Sequence, residues 1–266
     1  MFMLHRFAPA LATFTLLLPM LASGQTFDDV RLLDTAPGQN VGLAGAAVHS
    51  GPSYSGASSR RTGLAPLLNY QWANGWFAGT SHGVGYNASS TPGLQFGPRL
   101  TLDFGRKESR SSTLRGMGDV DPSLELGGFV NYRIAGALRL TAALRAGAGD
   151  DHKGVRLDLG VGHGFELARG LRLNLGVAST VANQAMLQSY FGVTAAQAAR
   201  SGYAVYTPKA GLQDVRAHAS LAYSVAPRTT LTFGISTTQL LGDAKASPLV
   251  RKATSTGAVA AVVYAF

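Results

Sequence analysis

The chain has 266 residues, enough for one large domain or two small ones, and no cysteine, which excludes disulfides and thiolate chemistry. Thirty-three glycines with only 14% charged residues fit neither a disordered chain nor a helix-dominated one. The formal charge of +9 favours anionic partners, and for an exported chain these are phosphorylated lipopolysaccharide rather than nucleic acid.

Export is read from residues 1–24. His5 and Arg6 open the chain with positive charge, Phe7 to Leu21 is an apolar run, and Ala22-Ser23-Gly24 supplies small residues for cleavage. This pattern predicts a signal peptide cut before Gln25. The apolar run is too short to be retained as a membrane helix, and no later stretch approaches the ~20 apolar residues that a helical span requires. Its removal takes away one base and no acid, leaving +8 from 22 basic and 14 acidic residues. Residues 25–40, polar and carrying Pro37 and Gly38, are predicted as a periplasmic lead-in to a domain spanning 41–266.

From there the pattern is alternation with a period of two, the mark of strands. Leu94, Phe96, Leu100, Leu102 and Phe104 take one face, and Gln95, Arg99, Thr101 and Asp103 the other. Leu124, Leu126, Val130 and Tyr132 alternate with Glu125, Asn131 and Arg133; Leu138, Leu140 and Leu144 with Arg139, Thr141 and Arg145. The same holds for Val155 to Phe165 against Arg156, Asp158 and Glu166, and for Leu171 to Val177 against Arg172 and Asn174. Further strands follow around Arg216 and His218, around Leu231 to Ile235, and over Thr254 to Phe266, which ends on alternating Val262, Tyr264 and Phe266.

A soluble sandwich also alternates, so three further features decide. The strands run to ten or more residues. The connections alternate between tight (73–75, 134–136, 168–170, 226–228) and long (51–63, 106–120, 182–214, 242–253). Tyr70, Trp72, Trp76, Tyr132, Phe165, Tyr223, Tyr264 and Phe266 all lie beside tight turns or the final strand end, as one aromatic girdle. The predicted fold is an all-β, transmembrane antiparallel β-barrel in the outer membrane. Residues 76–88 form either one strand or two short ones bent at Ser81-His82-Gly83; only two keep the aromatic turns all on one side, so about twelve strands are expected, with ten as the fallback. One short helix is expected in the longest connection, at 194–200, with Thr194 as its cap and Ser201-Gly202 as its stop.

The inward faces carry Arg99, Arg133, Arg139, Arg145, Arg156, Arg172 and Arg216 against Asp103, Glu125, Asp158 and Glu166. Such groups either pair as an internal charge ladder that fills a narrow barrel or make the lumen favour anions. Among the histidines His49, His82, His152, His163 and His218, only His218 beside Ser220 stands as a catalytic candidate, for a lipid A hydrolase. No GxSxG motif and no His/acid cluster with metal-ligand spacing occurs, so no catalytic residue, metal or cofactor is assigned. Arg60, Arg61, Arg106, Lys107, Arg110 and Arg115 form external basic clusters suited to lipid A phosphates.

The segments YFGVTAAQAARSGYAVYTPKAGLQDV (190–215), LLGDAKASPLVR (240–251) and RGMGDVDPSLELGGFVNY (115–132), with the aromatic last strand, resemble the MipA/OmpV family of outer-membrane proteins. The resemblance implies a barrel and, from the founding member, a scaffold role joining a lytic murein transglycosylase to a bifunctional penicillin-binding protein. Other members resemble osmotic-stress or adhesion proteins. It therefore implies a non-enzymatic barrel with periplasmic murein enzymes as partners and a docking surface on 25–40 and the tight turns. A narrow anion-favouring channel is the alternative.

Overall fold

The computed structural model describes residues 38–134, 137–148 and 154–266. The predicted signal peptide, residues 25–37 of the lead-in, the tight-turn residues 135–136 and His152 lie outside these. Twelve strands run in chain order: β1 (Val41–Pro52), β2 (Arg60–Gln71), β3 (Trp76–Gly79), β4 (Gly83–Tyr86), β5 (Leu94–Asp103), β6 (Ser123–Arg133), β7 (Leu138–Ala148), β8 (Val155–Ala168), β9 (Leu171–Ala182), β10 (Gly211–Ala226), β11 (Thr229–Leu240) and β12 (Thr254–Ala265). Each pairs antiparallel with its chain neighbours, and β1 pairs β12 from Leu43↔Ala265 to Ser50↔Ala258, closing the barrel.

The outer face is apolar because hydrocarbon accepts little else. Val48, Leu64, Leu126, Leu144, Val177, Leu221, Ile235 and Val262 all project outward and are exposed. The alternate positions hold Arg99, Asp103, Glu125, Asn131, Arg145 and Asp158, all buried in the lumen. In a soluble sandwich the burial of the two sets would be reversed.

Residues 76–88 form two strands of four residues each, so twelve is the count and the ten-strand alternative falls. The turn between them needs Gly83 in the left-handed region (φ 72°), where a Cβ would lie 2.1 Å from the Leu100 carbonyl oxygen. Because β3 and β4 are short, β2 pairs β3 only over Asn69–Gln71. Above that point Thr80 substitutes for a strand. Its backbone N–H donates to the Leu68 carbonyl (2.8 Å), and its hydroxyl accepts from the Leu68 N–H (3.1 Å) and donates to the Pro66 carbonyl (3.2 Å). Pro66 brings no N–H to that edge, which suits a proline at the limit of a ladder.

The helical content exceeds the single helix expected. The connection after β9 holds α1 (Gln184–Phe191) and α2 (Ala195–Ser201), and the one after β11 holds α3 (Gly242–Ala246). In α2 the Thr194 and Gln197 side chains form a capping box, and Gly202 at φ 78° ends the helix, as the sequence predicts. The unexpected α1 is capped by Asn183, whose side chain accepts from the Met186 N–H at 2.9 Å.

The β1–β12 seam supplies a test of closure. A side chain at Gly45 would place its Cβ 2.1 Å from the Val262 carbonyl oxygen, whereas one at Gly211 meets nothing within 4 Å. Gly45→Val is expected to destabilise the folded barrel by about 1–3 kcal/mol and Gly211→Ala to leave it unchanged. The readout is the heat-modifiable mobility shift of the purified protein on gels.

Candidate functional site

Seven of the eleven predicted lumen charges lie in the half of the barrel nearer the long loops, because they sit at the loop ends of their strands. These are Arg99, Asp103, Glu125, Arg145, Arg156, Asp158 and Arg216. Arg156 reaches the Glu125 carboxylate at 2.8 Å and Asp103 at 3.5 Å. Arg145 contacts Asp158 at 2.5 Å and Glu125 at 3.6 Å. Arg216 bridges Asp158 at 3.0 Å and Asp214 at 3.3 Å. The Thr180 hydroxyl donates to Asp158 at 2.7 Å, and the Thr101 hydroxyl to Glu125 at 3.2 Å.

Acid and base therefore alternate through the lumen wall from β5 to β10. Arg145, Arg156 and Arg216 pair with Asp103, Glu125, Asp158 and Asp214, and Arg99 is buried on the same wall. Buried ions demand such pairing, since desolvation is costly for each one.

Sequence reasoning missed three members. Asp214, Thr180 and the Tyr190 hydroxyl, which donates to Asp103 at 2.6 Å, join the network. Asp214 is the inward residue two before Arg216 on β10, so strand parity alone could have found it. Tyr190 comes from a helix, and no local signal points it at Asp103. The other four predicted residues, Arg133, Arg139, Glu166 and Arg172, lie at the tight-turn end, away from this cluster. Arg133, Glu166 and Arg172 are exposed there, and Arg139 is half-buried.

Above the charge network the loops form a cap. Met186, Leu187 and Phe191 of α1 pack on Ala182, Leu240 and Ala244, with Tyr190 and Val250 beside them. Met117, Val193 and Leu249 form a second small core and Tyr54, Ala57 and Leu114 a third, so four long connections share apolar contacts. Polar bonds tie the same loops. Tyr54 OH donates to the Leu249 carbonyl (2.8 Å), Gln197 Nε2 to the Met117 carbonyl (2.7 Å), Tyr203 OH to the Thr113 carbonyl (3.0 Å) and Ser247 Oγ to the Phe191 carbonyl (2.6 Å). Burial and the neighbouring Asp103 push the Tyr190 hydroxyl well above its ordinary pKa, which keeps it a donor.

The external basic cluster is corrected by this cap. Arg106 is buried, 3% exposed, and donates to the Tyr190 carbonyl at 3.0 Å. Lys107 is held by Asp119 (2.8 Å) and Asp121 (3.2 Å). Arg60 reaches across the outer face to the Thr256 carbonyl at 3.0 Å. Arg61 and Arg115 remain exposed and Arg110 half-buried.

The girdle residues Trp72, Trp76, Tyr132, Phe165, Tyr223, Tyr264 and Phe266 are exposed on the outer face near the tight turns. Tyr70 is half-buried between Trp72 (ring centroids 4.9 Å) and Phe266 (6.2 Å). Tyr86, stacked edge-on with Trp76 at 5.6 Å, joins them. His163 faces outward against Phe165 at 4.3 Å. His218 and Ser220 face the lumen, where the Ser220 hydroxyl lies 3.5 Å from Asn174 Nδ2. A lipid on the outer surface has no route to that serine through a paired β9–β10–β11 wall.

The family model for the MltA-interacting protein MipA matches residues 44–266. The chain belongs to the MipA family. No curated protein matches it. Among the solved structures that the chain resembles are two porins and an outer membrane channel. The NanC porin is 12% identical, with 82% of this chain and 98% of that chain covered and a TM-score of 0.46. The COG4313 outer membrane channel from Pseudomonas putida F1 is 14% identical, with 91% and 99% covered and a TM-score of 0.47. The KdgM porin is 10% identical, with 84% and 99% covered and a TM-score of 0.46. This MipA-family chain is an outer-membrane β-barrel with a neutralised, capped upper lumen.

Two measurements follow. Asp158→Ala removes the acid that Arg145 and Arg216 share, leaving them only the longer contacts to Glu125 (3.6 Å) and Asp214 (3.3 Å), and is expected to cost about 3 kcal/mol, read by urea unfolding followed by tryptophan fluorescence. The second concerns the 106–120 loop. Backbone N–H groups of Gly116 and Gly118 hold the Glu108 carboxyl below its usual range, and Lys107 with the Glu108 N–H does the same for Asp119. A depressed carboxyl pKa stabilises above the unfolded value and loses that effect as pH falls through the folded one. The loop should therefore resist an acid-active protease above about pH 4 and become cleavable only below it.

Proposed function

We propose that this barrel is a non-conducting scaffold for peptidoglycan-remodelling enzymes, docking them on its periplasmic rim. The observation that carries the reading is the state of the upper lumen. A channel needs a continuous wet path, and here paired ions and a helix-bearing cap occupy the long-loop half. Channel selectivity for anions also needs unbalanced positive charge, whereas in the upper lumen Arg145, Arg156 and Arg216 are paired with acids.

The family description supports the partner class, since it names an interaction with MltA. The rim has charge suited to it. Arg133, Arg169, Arg172 and Arg228 are exposed at the tight turns, with Glu166 the one acid among the described residues there. A basic rim steers an acidic protein face and makes association sensitive to salt.

The test is a crosslinking pull-down from intact envelopes. Wild type is compared with a form lacking 25–40 and with Arg169→Glu/Arg228→Glu. Murein enzymes are expected with wild type and depleted in one variant or both, which also locates the contact. Their absence from every sample, wild type included, would end the scaffold reading. Planar-bilayer recordings should be silent for wild type, and steady anion-selective conductance would replace the scaffold with the channel.

A further inference from the structure

Above the β3–β4 hairpin the wall carries a notch. At the hairpin β2 and β5 stand three strand spacings apart, about 14 Å. The two strands between them end at Gly79 and begin again at Gly83, whereas β2 continues to Arg60 and β5 to Asp103 with no ladder joining them. The even-numbered residues of β2 turn their backbone to this side, as the Thr80 bonds to Leu68 and Pro66 show. Leu64 and Thr62 continue that edge upward, and among the described residues nothing hydrogen-bonds to it from the notch. Leu102 continues the facing edge of β5, one step beyond the Val84↔Leu100 pair. Leu64, 64% exposed, and Thr62 are open to the outside. An unpaired peptide edge is strongly unfavourable in hydrocarbon, so this one calls for an occupant that brings hydrogen-bonding groups to its depth.

Arg60 indicates the occupant's charge. It lies on the outward side of β2, ten residues from Tyr70 of the girdle. A strand tilted by about 40° climbs roughly 2.6 Å per residue, which sets Arg60 about 26 Å above Tyr70, at the outer boundary of an apolar band about 25 Å tall. Its guanidinium is laid along the wall by the Thr256 carbonyl (3.0 Å), Thr256 Oγ1 (3.1 Å) and Ser50 Oγ (3.4 Å). These are neutral oxygens, and among the described residues no acid pairs with Arg60. A fixed, uncompensated guanidinium at headgroup depth matches a lipid phosphate, which it can hold through two parallel bonds.

We propose that the notch seats one phosphorylated, N-acylated glycolipid of the outer leaflet, of the lipid A class. Its phosphate lies on Arg60, and the amide and hydroxyl groups of its acyl arms lie along the Thr62–Leu64 edge. A diacyl phospholipid carries the phosphate, but its ester carbonyls only accept, which leaves the edge carbonyls without a donor. The assignment goes beyond the scaffold reading and does not depend on it.

The experiment titrates the delipidated, detergent-solubilised barrel with lipid A and reads bound lipid by native mass spectrometry. Dephosphorylated lipid A and phosphatidylglycerol are the controls. A one-to-one lipid A adduct is expected, with affinity roughly tenfold or more above either control. Arg60→Gln should weaken it by a similar factor and Arg115→Gln, on an exposed loop, should leave it unchanged; both are first shown to retain the heat-modifiable shift. Independently of any variant, lipid A should slow amide hydrogen exchange of the 60–66 segment of the wild type, and phosphatidylglycerol should not. Equal binding of the three lipids, unchanged binding in folded Arg60→Gln, or exchange that lipid A does not slow would each overturn the assignment. A co-purifying polypeptide that protects the same segment and resists displacement by lipid A would overturn it in favour of strand addition.

Discussion

Hydrocarbon offers no hydrogen-bond partner to a peptide group, so a sheet that crosses a bilayer cannot end in a free edge. Here β1 must find β12, and the eight-residue register from Leu43↔Ala265 to Ser50↔Ala258 is where it does. The small residues along that seam let the two backbones approach. Where the wall is thinnest, beside the short β3 and β4, Thr80 and Pro66 show how the chain limits exposed polar edge without adding strand. One side chain supplies two hydrogen bonds, and one imino acid removes a donor.

Closure creates a lumen, and a twelve-strand lumen is wide enough to need filling. The chain fills its two halves by different means. Toward the long loops it places Arg145, Arg156 and Arg216 among four acids, a pairing that offsets their desolvation, and Phe77 meets Phe129 edge-on at 5.6 Å lower on the inner wall. Tyr190 links this charged layer to the cap, because its hydroxyl contacts Asp103 while its backbone carbonyl accepts from Arg106. Network and cap therefore constrain one another: α1 docks on the charges, and the charges are roofed by α1.

Toward the tight turns glycines take the inward positions of β8 and β9, and the Thr141, Arg172, Asn174 and His218 side chains lie over them. The consequence is a molecule with two dissimilar ends. Its outer end is a knitted loop cap, and its inner end is a basic rim.

The sequence by itself determined which residues face lipid and which face the lumen. A strand has a side-chain period of two and the bilayer tolerates only apolar groups, so parity along each strand is enough. It also determined the α2 helix, because a capping box and a terminal glycine act within one turn of the residues that form them. Tertiary structure alone decided which lumen charges meet. Arg133 and Arg145 share a type and a face, and position along the strand puts one at the rim and one near the loops, but only the fold pairs Arg145 with Asp158. Only the fold placed Tyr190 on Asp103 and turned Arg106 inward from an external cluster. The α1 segment shows the same limit: its apolar residues suit strand or helix alike, and the Asn183 cap together with the packing surface of Leu240 and Ala244 made it a helix. Local periodicity reports the environment on each side of a strand, whereas contacts between distant strands and loops depend on closure, which no single segment encodes.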